Sequence, residues 1–254
     1  MKVRLRFSKL GKIRWTSHRD VARMWERAFR RLALPLAYTA GFSHRPKVSF
    51  GLALSTGHES LAEYLDIDLE GDAPLEWPLA ELPERLSGAL PDGLNATAAV
   101  EIDPGTPSLQ ELVTSCDWAF SLDPAVPDLR HRVETLLSAS TAVVKRRRKG
   151  AEVWEDIRPS VLDLHLIGVP PASSPRLQAE LACQPRSIRA ADVVAALGAG
   201  LEERDVCRMN QWILRLGARD EPVPLAGFGG ATGATRRDLP DVRPPDRTRY
   251  QPAC

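Results

Sequence analysis

The sequence KVRLRFSKLGKIRWTSHRD, residues 2–20, carries the strongest local structural signals of the chain. Its first part, residues 2–8, alternates apolar and basic side chains, which is the period of a half-buried β-strand. Further on, Ser17 and Asp20 form an S-x-x-D pattern close to a capping box. An apolar stripe at three- and four-residue steps follows, so we expect an amphipathic helix over residues 18–34. The opening of the chain therefore predicts a strand and then a capped helix.

The next hundred residues extend this pattern. After a turn at Gly11 we expect residues 13–16 to be extended. Beyond the helix, alternating apolar residues predict three strands, over residues 47–55, 61–69 and 94–102. Leucines at helical spacing predict a second helix over residues 78–90. The order strand, helix, strand, strand, helix, strand is that of the ferredoxin-like βαββαβ unit.

A second set of elements has a similar order. Over residues 117–216 the apolar pattern predicts a strand, a helix, a hairpin about Lys149-Gly150, two strands, a helix and a last strand. The predicted fold class is therefore α+β, with two tandem ferredoxin-like (βαββαβ) units, antiparallel sheets and a disordered C-terminal tail. We place the units at residues 1–105 and 106–220. The tail covers residues 221–254, where Gly and Pro accumulate and no period survives.

Charge is distributed unevenly along the chain although the net charge is only +1. Residues 1–60 hold 13 Lys and Arg against 3 Asp and Glu, a net charge of +10. Residues 61–130 hold 2 against 15, a net charge of −13. Either one basic surface attracts phosphates, or the two regions partly neutralise each other across an interface.

Several classes of function lack their sequence signatures. The four cysteines are far apart and form no C-x-x-C pair, so we expect isolated buried thiols and one thiol in the tail: Cys116, Cys183, Cys207 and Cys254. Without a close cysteine triplet the chain is not itself a radical-SAM enzyme. No Walker or dinucleotide-binding loop occurs, and we expect neither a metal nor a cofactor. No apolar run reaches membrane-spanning length and the N-terminus is no signal peptide, so we expect a cytoplasmic protein.

The predicted helix start offers the first candidate site. His18 is a candidate general acid or base, which Asp20 would orient. Alternatively, Ser17 and Asp20 only cap the helix and His18 lies exposed in its first turn. The N-terminus of a helix also attracts phosphate, so capping and phosphate binding are compatible.

Basic residues on either side of the first helix offer a second candidate site. They would line one phosphate-binding groove, and the alternative is a set of solvated surface charges: Lys12, Arg14, His44, Arg45 and Lys47. Three aromatic residues near them in sequence would stack on bases or, alternatively, belong to the core or its rim: Trp15, Tyr38 and Phe42.

The densest basic run is the third candidate. Residues 145–149 are all Lys or Arg, and in a hairpin Lys145 and Arg147 would enter a nucleic-acid groove. A solvated turn is the alternative. Glu155 and Asp156 follow closely and offer these cations partners within the same chain.

Three stretches resemble a known family, the radical-SAM-linked domain of unknown function, in its actinobacterial type. They are residues 4–20, residues 41–51 (GFSHRPKVSFG) and residues 56–64 (TGHESLAEY). A weaker similarity involves Lys145 and residues 156–158. The resemblance covers residues 2–215, but His44 stands where the family is expected to have proline.

The resemblance implies an accessory role. Members are fused to, or encoded beside, a radical-SAM protein with a cobalamin-binding region, and in actinobacteria they occur near a ribonuclease E/G. The resemblance thus implies substrate delivery to such an enzyme, with RNA as one substrate. It carries no established catalytic residues to this chain.

Three hypotheses follow. The first is a module that binds RNA through the basic face of residues 2–47 and works with a separate radical-SAM partner. The second is an RNA-processing or RNA-modifying enzyme with His18 as acid or base. The third is a protein-interaction module that docks through the acidic region of residues 61–130.

Overall fold

The computed structural model of the chain describes residues 1–40, 44–71, 75–123, 128–148, 150–167, 176–215 and 217–223. The eleven strands are β1 Lys2–Lys9, β2 Val48–Phe50, β3 Glu59–Asp68, β4 Leu94–Ile102, β5 Ser115–Asp123, β6 Val143–Arg148, β7 Ala151–Asp156, β8 Val161–Ile167, β9 Arg176–Ala182, β10 Glu202–Arg215 and β11 Ala218–Asp220. The five α-helices are α1 His18–Arg31, α2 Leu82–Ala89, α3 Leu109–Leu112, α4 Leu129–Ser138 and α5 Ala190–Leu197. The chain is therefore a mixed α+β protein.

Nine strands form one continuous sheet. The main path runs β4-β1-β3-β10-β5-β9-β8, while β2 pairs with β3 and β11 pairs with β10. All of these pairings are antiparallel except that between β3 and β10, which joins Cys207 to Glu59 and Arg208 to Ser60. The hairpin of β6 and β7 is a separate two-stranded sheet.

The N-terminal strand set has the spatial order β4-β1-β3-β2. Alternation in β1 directs Val3, Leu5 and Phe7 to one face, where they pack with the apolar stripe of α1. Trp25 of α1 is fully buried and its ring contacts that of Phe7 edge to face at 4.9 Å. Helix α2 packs beside α1 on the same core.

The C-terminal strand set repeats that spatial order as β10-β5-β9-β8. Helix α4 contacts β8, and helix α5 contacts β10 and the β6–β7 hairpin. Their apolar residues form a second core, which also includes Ala62 and Tyr64 of β3. The two sets therefore share one sheet but bury two separate apolar clusters.

The basic face of β1 was expected to face solvent, as in a half-buried strand, but it is mostly buried. Arg4 is only 2% exposed and its guanidinium forms a bidentate ion pair with Asp66 of β3, at 2.7 and 2.9 Å. The connection after β4 lies near this face, because Lys2 donates to the carbonyl of Thr106. Some of the charge difference between the basic and acidic regions is thus neutralised inside the protein.

Tertiary pairing changes several predicted element bounds. Strand β2 is three residues long, not nine, because it pairs only with the end of β3 while β10 pairs with the start of β3. Residues 11–15 form a 3₁₀ turn, not an extended segment, and α1 ends at Arg31. Helix α3 was not predicted.

The end of the folded chain lies beyond the predicted start of the tail. Val223 is buried and Glu221 accepts a hydrogen bond from Asn210, so ordered contacts continue past residue 221. The rest of the predicted tail, residues 224–254, lies outside the described residues. None of the described helices, of which α1 is the longest, has the length and apolarity needed to cross a bilayer.

Candidate functional site

Two motifs of the sequence meet where β1 ends. Glu59 accepts hydrogen bonds from the backbone N–H of Gly11 at 2.8 Å and from Arg14 at 3.3 Å. The N–H of Gly57 donates to the carbonyl of Arg14 at 2.8 Å. The T-G-H-E-S turn is thus hydrogen-bonded to the Gly11–Trp15 turn and fixes its position.

Gly57 is required at this contact for a geometric reason. Its φ of +89° lies in the left-handed region, and an added Cβ would lie 2.9 Å from Cζ3 of Trp15. Trp15 covers the glycine and remains 65% exposed, with the Arg14 guanidinium 5.3 Å from its ring centroid. The turn therefore presents an aromatic ring and a cation together.

The buried side chain of Lys9 also stabilises the Gly11–Trp15 turn. It is 3% exposed, and its ammonium group donates to the carbonyls of Arg14 at 3.2 Å and Thr16 at 3.1 Å. Burial lowers the pKa of Lys9, an effect that the negative charge of Glu63 opposes. The role of Lys9 is to fix the path of the chain into α1.

A small, open cleft lies between β1, β3, the segment after β2 and the start of α1. Its lining includes Phe7, Lys9, His18, Phe50, Leu54 and Glu63. His18 lies exposed at this cleft with its ring edge to face with that of Phe50 at 5.1 Å. The cleft thus combines an apolar wall with a titratable group.

The predicted pairing of His18 with Asp20 is not formed. The Asp20 carboxylate accepts hydrogen bonds from the Ser17 hydroxyl at 2.7 Å and from Arg23 at 3.3 Å. The Ser17 hydroxyl holds the pKa of Asp20 below its usual value. Ser17 in turn accepts from the N–H of Asp20, which caps α1. Among the described residues no hydrogen bond reaches the His18 ring, so His18 is an available imidazole without an orienting partner.

The basic residues predicted to line one groove separate into two places. Arg14 binds Glu59 at the start of β3, whereas Lys47 is hydrogen-bonded through its backbone to Asp68 at the end of β3. A ten-residue strand spans about 30 Å, so these two anchor points lie far apart. Lys12 is exposed near the first point, and Arg45 is exposed near the second.

The predicted stacking residues also separate. Trp15 belongs to the turn before α1, while Tyr38 is 48% exposed and pairs through its backbone with Pro46. Phe42, together with Gly41 and Ser43 of the same motif, lies outside the described residues. His44 is exposed.

Four arginines of helix α1 lie on one face of the helix. Residues 19, 23, 27 and 30 follow one another at steps of four, four and three, which places them on one face of the helix, and all four are exposed. Arg23 pairs with Asp20. Among the described residues no carboxylate lies within 4.0 Å of the other three, which are Arg19, Arg27 and Arg30. We call these four residues the α1 arginine face.

The hairpin of β6 and β7 has a different electrostatic character. Lys145 pairs with Glu152 at 2.6 Å, and Arg146 pairs with Glu155 at 2.9 Å and with Asp192 of α5 at 3.1 Å. Arg186 also binds Glu155 and, with Arg146, holds its pKa below the usual value. The side chain of Arg147 lies outside the described residues.

The D-I-R segment, residues 156–158, closes the base of the hairpin. Asp156 accepts hydrogen bonds from the N–H groups of Ala142 and Arg158, and Arg158 donates to the carbonyls of Leu137 and Val161. Asp156 therefore binds backbone rather than the basic run. This motif has a structural function in the fold.

Sequence reasoning missed a buried charged seam at the β3–β10 junction. Arg208 is 3% exposed, donates to Glu63 at 2.9 Å and also binds the carbonyls of Leu52 and Ala53. Its guanidinium lies 4.8 Å from the ring centroid of Trp118. The sequence signal for this buried arginine was the alternation along β10, which puts the side chain of Arg208 on the same inward face as that of Val206.

Two of the cysteines that were expected to be isolated are in contact near this seam. The Sγ atoms of Cys116 and Cys183 are 3.3 Å apart. Their spacing of 67 residues gives no local signal of this contact. In the described part of the chain no group of three His, Cys, Asp or Glu side chains could hold a metal ion.

These features define an α+β protein with a basic helix face beside a small cleft. Residues 2–190 match a protein-family model, and the chain therefore belongs to the family described as "Uncharacterized protein conserved in bacteria (DUF2344)". The resemblance seen in the sequence is confirmed as membership of a bacterial domain family, while its radical-SAM link and actinobacterial type stay predictions.

No curated protein matches the chain. Among solved structures it is similar to a chain of "Crystal Structure of a Cbf5-Nop10-Gar1 Complex", with a TM-score of 0.43 and 9% sequence identity over 82% of this chain. The similarity spans 48% of that chain, about half of its length.

Proposed function

We propose that this protein is an RNA-binding accessory module that presents a substrate to a separate radical-SAM enzyme. The observation that carries the RNA-binding part is the α1 arginine face, three of whose four cations have no carboxylate within 4.0 Å among the described residues. The radical-SAM/cobalamin-binding partner, the ribonuclease E/G context and a cytoplasmic location rest on the family resemblance and the composition of the sequence.

The geometry of the α1 arginine face suits a nucleic-acid backbone. Eleven residues separate Arg19 from Arg30, which is about 16 Å along a helix. Guanidinium groups bind phosphate oxygens through paired hydrogen bonds, and this spacing serves several successive phosphates. Binding of this kind releases counterions, so affinity falls steeply with salt.

The turn before α1 would add contacts to bases. Trp15 is exposed at one end of the α1 arginine face, with Arg14 against its ring. Stacking on an exposed aromatic ring tolerates any base, which fits an accessory module without strict sequence preference. Lys12 lies in the same turn and supplies a further exposed cation.

We also propose the finer fold assignment. The order β4-β1-β3-β2 and its repetition as β10-β5-β9-β8 are those of two ferredoxin-like units, with the β6–β7 hairpin inserted into the second. On this assignment the units meet at the β3–β10 pairing, and the predicted boundary between residues 105 and 106 falls in the connection between β4 and α3.

The test compares two variants that each lose three positive charges. One replaces Arg19, Arg27 and Arg30 with glutamine. The matched control replaces Lys145, Arg186 and Arg204, which are exposed but paired with carboxylates. Filter binding of structured RNA and total tRNA is measured at about 50 and 200 mM salt. Selective loss in the first variant supports the proposal, and no binding by the natural protein at low salt overturns it.

The partner is tested separately. The tagged protein is recovered from its native cells, bound proteins are identified and bound RNA is sequenced. Recovery of a protein with a radical-SAM cysteine triplet and a cobalamin-binding region supports the accessory role. Its absence in both high- and low-salt washes contradicts that role while leaving RNA binding unaffected.

A second candidate function is RNA processing or modification with His18 as acid or base. The observation in its favour is the position of His18 at a cleft, with its imidazole free of hydrogen bonds from the described residues. Purified protein and a His18→Ala variant are incubated with RNA. Cleavage by the natural protein alone supports an enzyme, while equal cleavage or none removes this candidate.

A third candidate is a protein-interaction module that docks through the acidic region, residues 61–130. Part of that acidity is internal, because Glu63 and Asp66 pair with buried arginines. The pull-down described above separates this candidate from RNA binding, since it predicts a protein partner and no bound RNA.

A further inference from the structure

The second apolar core contains two thiols in contact. Cys116 lies in β5 and Cys183 directly follows β9, and both are free, with 3.3 Å between their Sγ atoms. The third described cysteine, Cys207 in β10, makes no contact with either of them: its thiol lies against the carbonyl of Arg208.

The contact follows from strand register. Cys116 is paired with Leu181, and the N–H of Cys183 donates to the carbonyl of Thr114 at 2.8 Å. Residues two apart on a strand point to the same face, so Cys183, opposite Thr114, is the diagonal neighbour of Cys116 on that face. The two Sγ atoms lie 3.3 Å apart, so they need to approach each other to the S–S bond length of about 2.05 Å for a disulfide to form.

The two thiols are not equivalent. Cys116 is 1% exposed, whereas Cys183 is half-buried beside solvent-exposed residues 184–187. Hydrogen bonding from Cys116 lowers the pKa of Cys183, and the nearby guanidinium of Arg208 acts in the same direction. The same contact and burial raise the pKa of Cys116. Cys183 is therefore the accessible nucleophile and Cys116 the buried second thiol.

We propose that Cys116 and Cys183 are a thiol–disulfide exchange site that is oxidised by a low-molecular-weight disulfide such as glutathione disulfide. The inference does not depend on RNA binding, because both residues lie outside α1 and the turn before it.

The exchange balances in two steps. The Cys183 thiolate attacks one sulfur of the small disulfide, and a mixed disulfide forms as the first small thiolate leaves. Cys116 then loses its proton and attacks Sγ of Cys183, which forms the Cys116–Cys183 bond and expels the second small thiolate. The protein loses two electrons and two protons, and the small disulfide is reduced to two thiols.

The site adjoins the charged seam at the β3–β10 junction. Arg208 interacts electrostatically with both sulfurs and also binds Glu63, which lines the cleft beside His18. Oxidation converts the two thiols beside Arg208 into a disulfide, which cannot carry a negative charge. Through its bond to Glu63, Arg208 connects the cysteine pair to the lining of the cleft.

The experiment equilibrates the full chain with mixtures of reduced and oxidised glutathione. Acid quenching, maleimide alkylation and intact mass then count the free thiols, and non-reducing digestion identifies the bridged peptides. We expect the loss of two thiols together, with a peptide pair that contains Cys116 and Cys183. Cys207→Ser and Cys254→Ser, alone and combined, leave that bridge in place.

Single substitutions separate the steps. Cys183→Ser abolishes the reaction at Cys116, whereas Cys116→Ser stops it at a glutathione adduct on Cys183. Free Cys116 and Cys183 at every glutathione ratio overturn the proposal, and so does a bridge to Cys207 or Cys254. The mapping of the natural chain gives this answer even if a variant does not fold.

Discussion

Strand β1 and helix α1 are adjacent basic elements whose charges have opposite environments. The guanidinium of Arg4 in β1 is buried and paired with Asp66, and the ammonium of Lys9 binds two carbonyls. The α1 arginine face is exposed. The difference teaches that sequence charge alone does not identify a binding surface, because both faces of β1 are buried while α1 has one exposed side.

The β6–β7 hairpin is an intermediate case. Lys145 is exposed like the arginines of α1, whereas Arg146 is partly buried, and both have carboxylate partners, on the adjacent strand and on α5. The exposed pair of Lys145 with Glu152 contributes little to stability, about 1 kcal/mol or less, but such pairs reduce the positive potential available to a phosphate.

The largest expected effect concerns the buried pair of β1. Replacing Arg4 with alanine leaves the buried Asp66 carboxylate with only the more distant ammonium group of Lys2, at 3.9 Å, so we expect the free energy of unfolding to fall by about 3–5 kcal/mol. Urea denaturation measures it. The control, Arg27→Ala on the exposed face of α1, should change that free energy by about 0.5 kcal/mol or less. Equal effects of the two substitutions would contradict the contrast between β1 and α1.

The next effect concerns RNA. Replacing Arg19, Arg27 and Arg30 with glutamine removes three phosphate contacts, so we expect affinity to fall about 10- to 100-fold at low salt. The slope of log affinity against log salt should decrease by about 2 for single-stranded RNA. Filter binding checks both quantities. If the salt dependence of the variant is unchanged, these three arginines do not contact phosphates and the RNA binds another surface.

A smaller effect concerns the helix cap. Ser17→Ala removes the acceptor for the N–H of Asp20, and we expect a loss of about 1 kcal/mol of unfolding free energy. The pKa of Asp20 should rise toward its ordinary value, because the Ser17 hydroxyl is the main cause of its depression. NMR titration of the Asp20 carboxyl tests this prediction, and Ser17→Thr is the conservative control. A titration curve that does not move would mean that the hydroxyl is not the cause.

The smallest effect concerns the hairpin. Lys145→Gln breaks an exposed pair with Glu152, so we expect a change in unfolding free energy of about 0.5 kcal/mol or less. RNA affinity should change less than twofold. A loss comparable with that of the α1 triple variant, measured in the same binding assay, would return the hairpin to the list of nucleic-acid surfaces.

Local patterns predicted the elements well where their own residues decide the outcome. Strands β4 and β8 occur at the predicted bounds, residues 94–102 and 161–167. The Ser17 cap and the β6–β7 hairpin are also confirmed. Strand β2 was predicted too long. Strands β2 and β10 pair with different parts of the same edge of β3, and the local sequence of either strand does not show how that edge is divided.

The candidate site was predictable only in part. Ser17, His18 and Asp20 do lie together at the start of α1, but the carboxylate of Asp20 accepts hydrogen bonds from Ser17 and Arg23 and none from His18. The α1 arginine face follows from helical periodicity. The single groove that would have joined Arg14 to Lys47 does not form, because these residues are anchored at opposite ends of β3.

Periodicity and capping chemistry, which act over a few residues, are sufficient to specify α1, its exposed arginines and most strands. The contacts that join distant residues depend on the packing of the whole sheet. Arg4 with Asp66, Arg208 with Glu63 and Cys116 with Cys183 are separated by 62, 145 and 67 positions. Nothing within a short window favours any of these pairs, so strand order and register alone determine them.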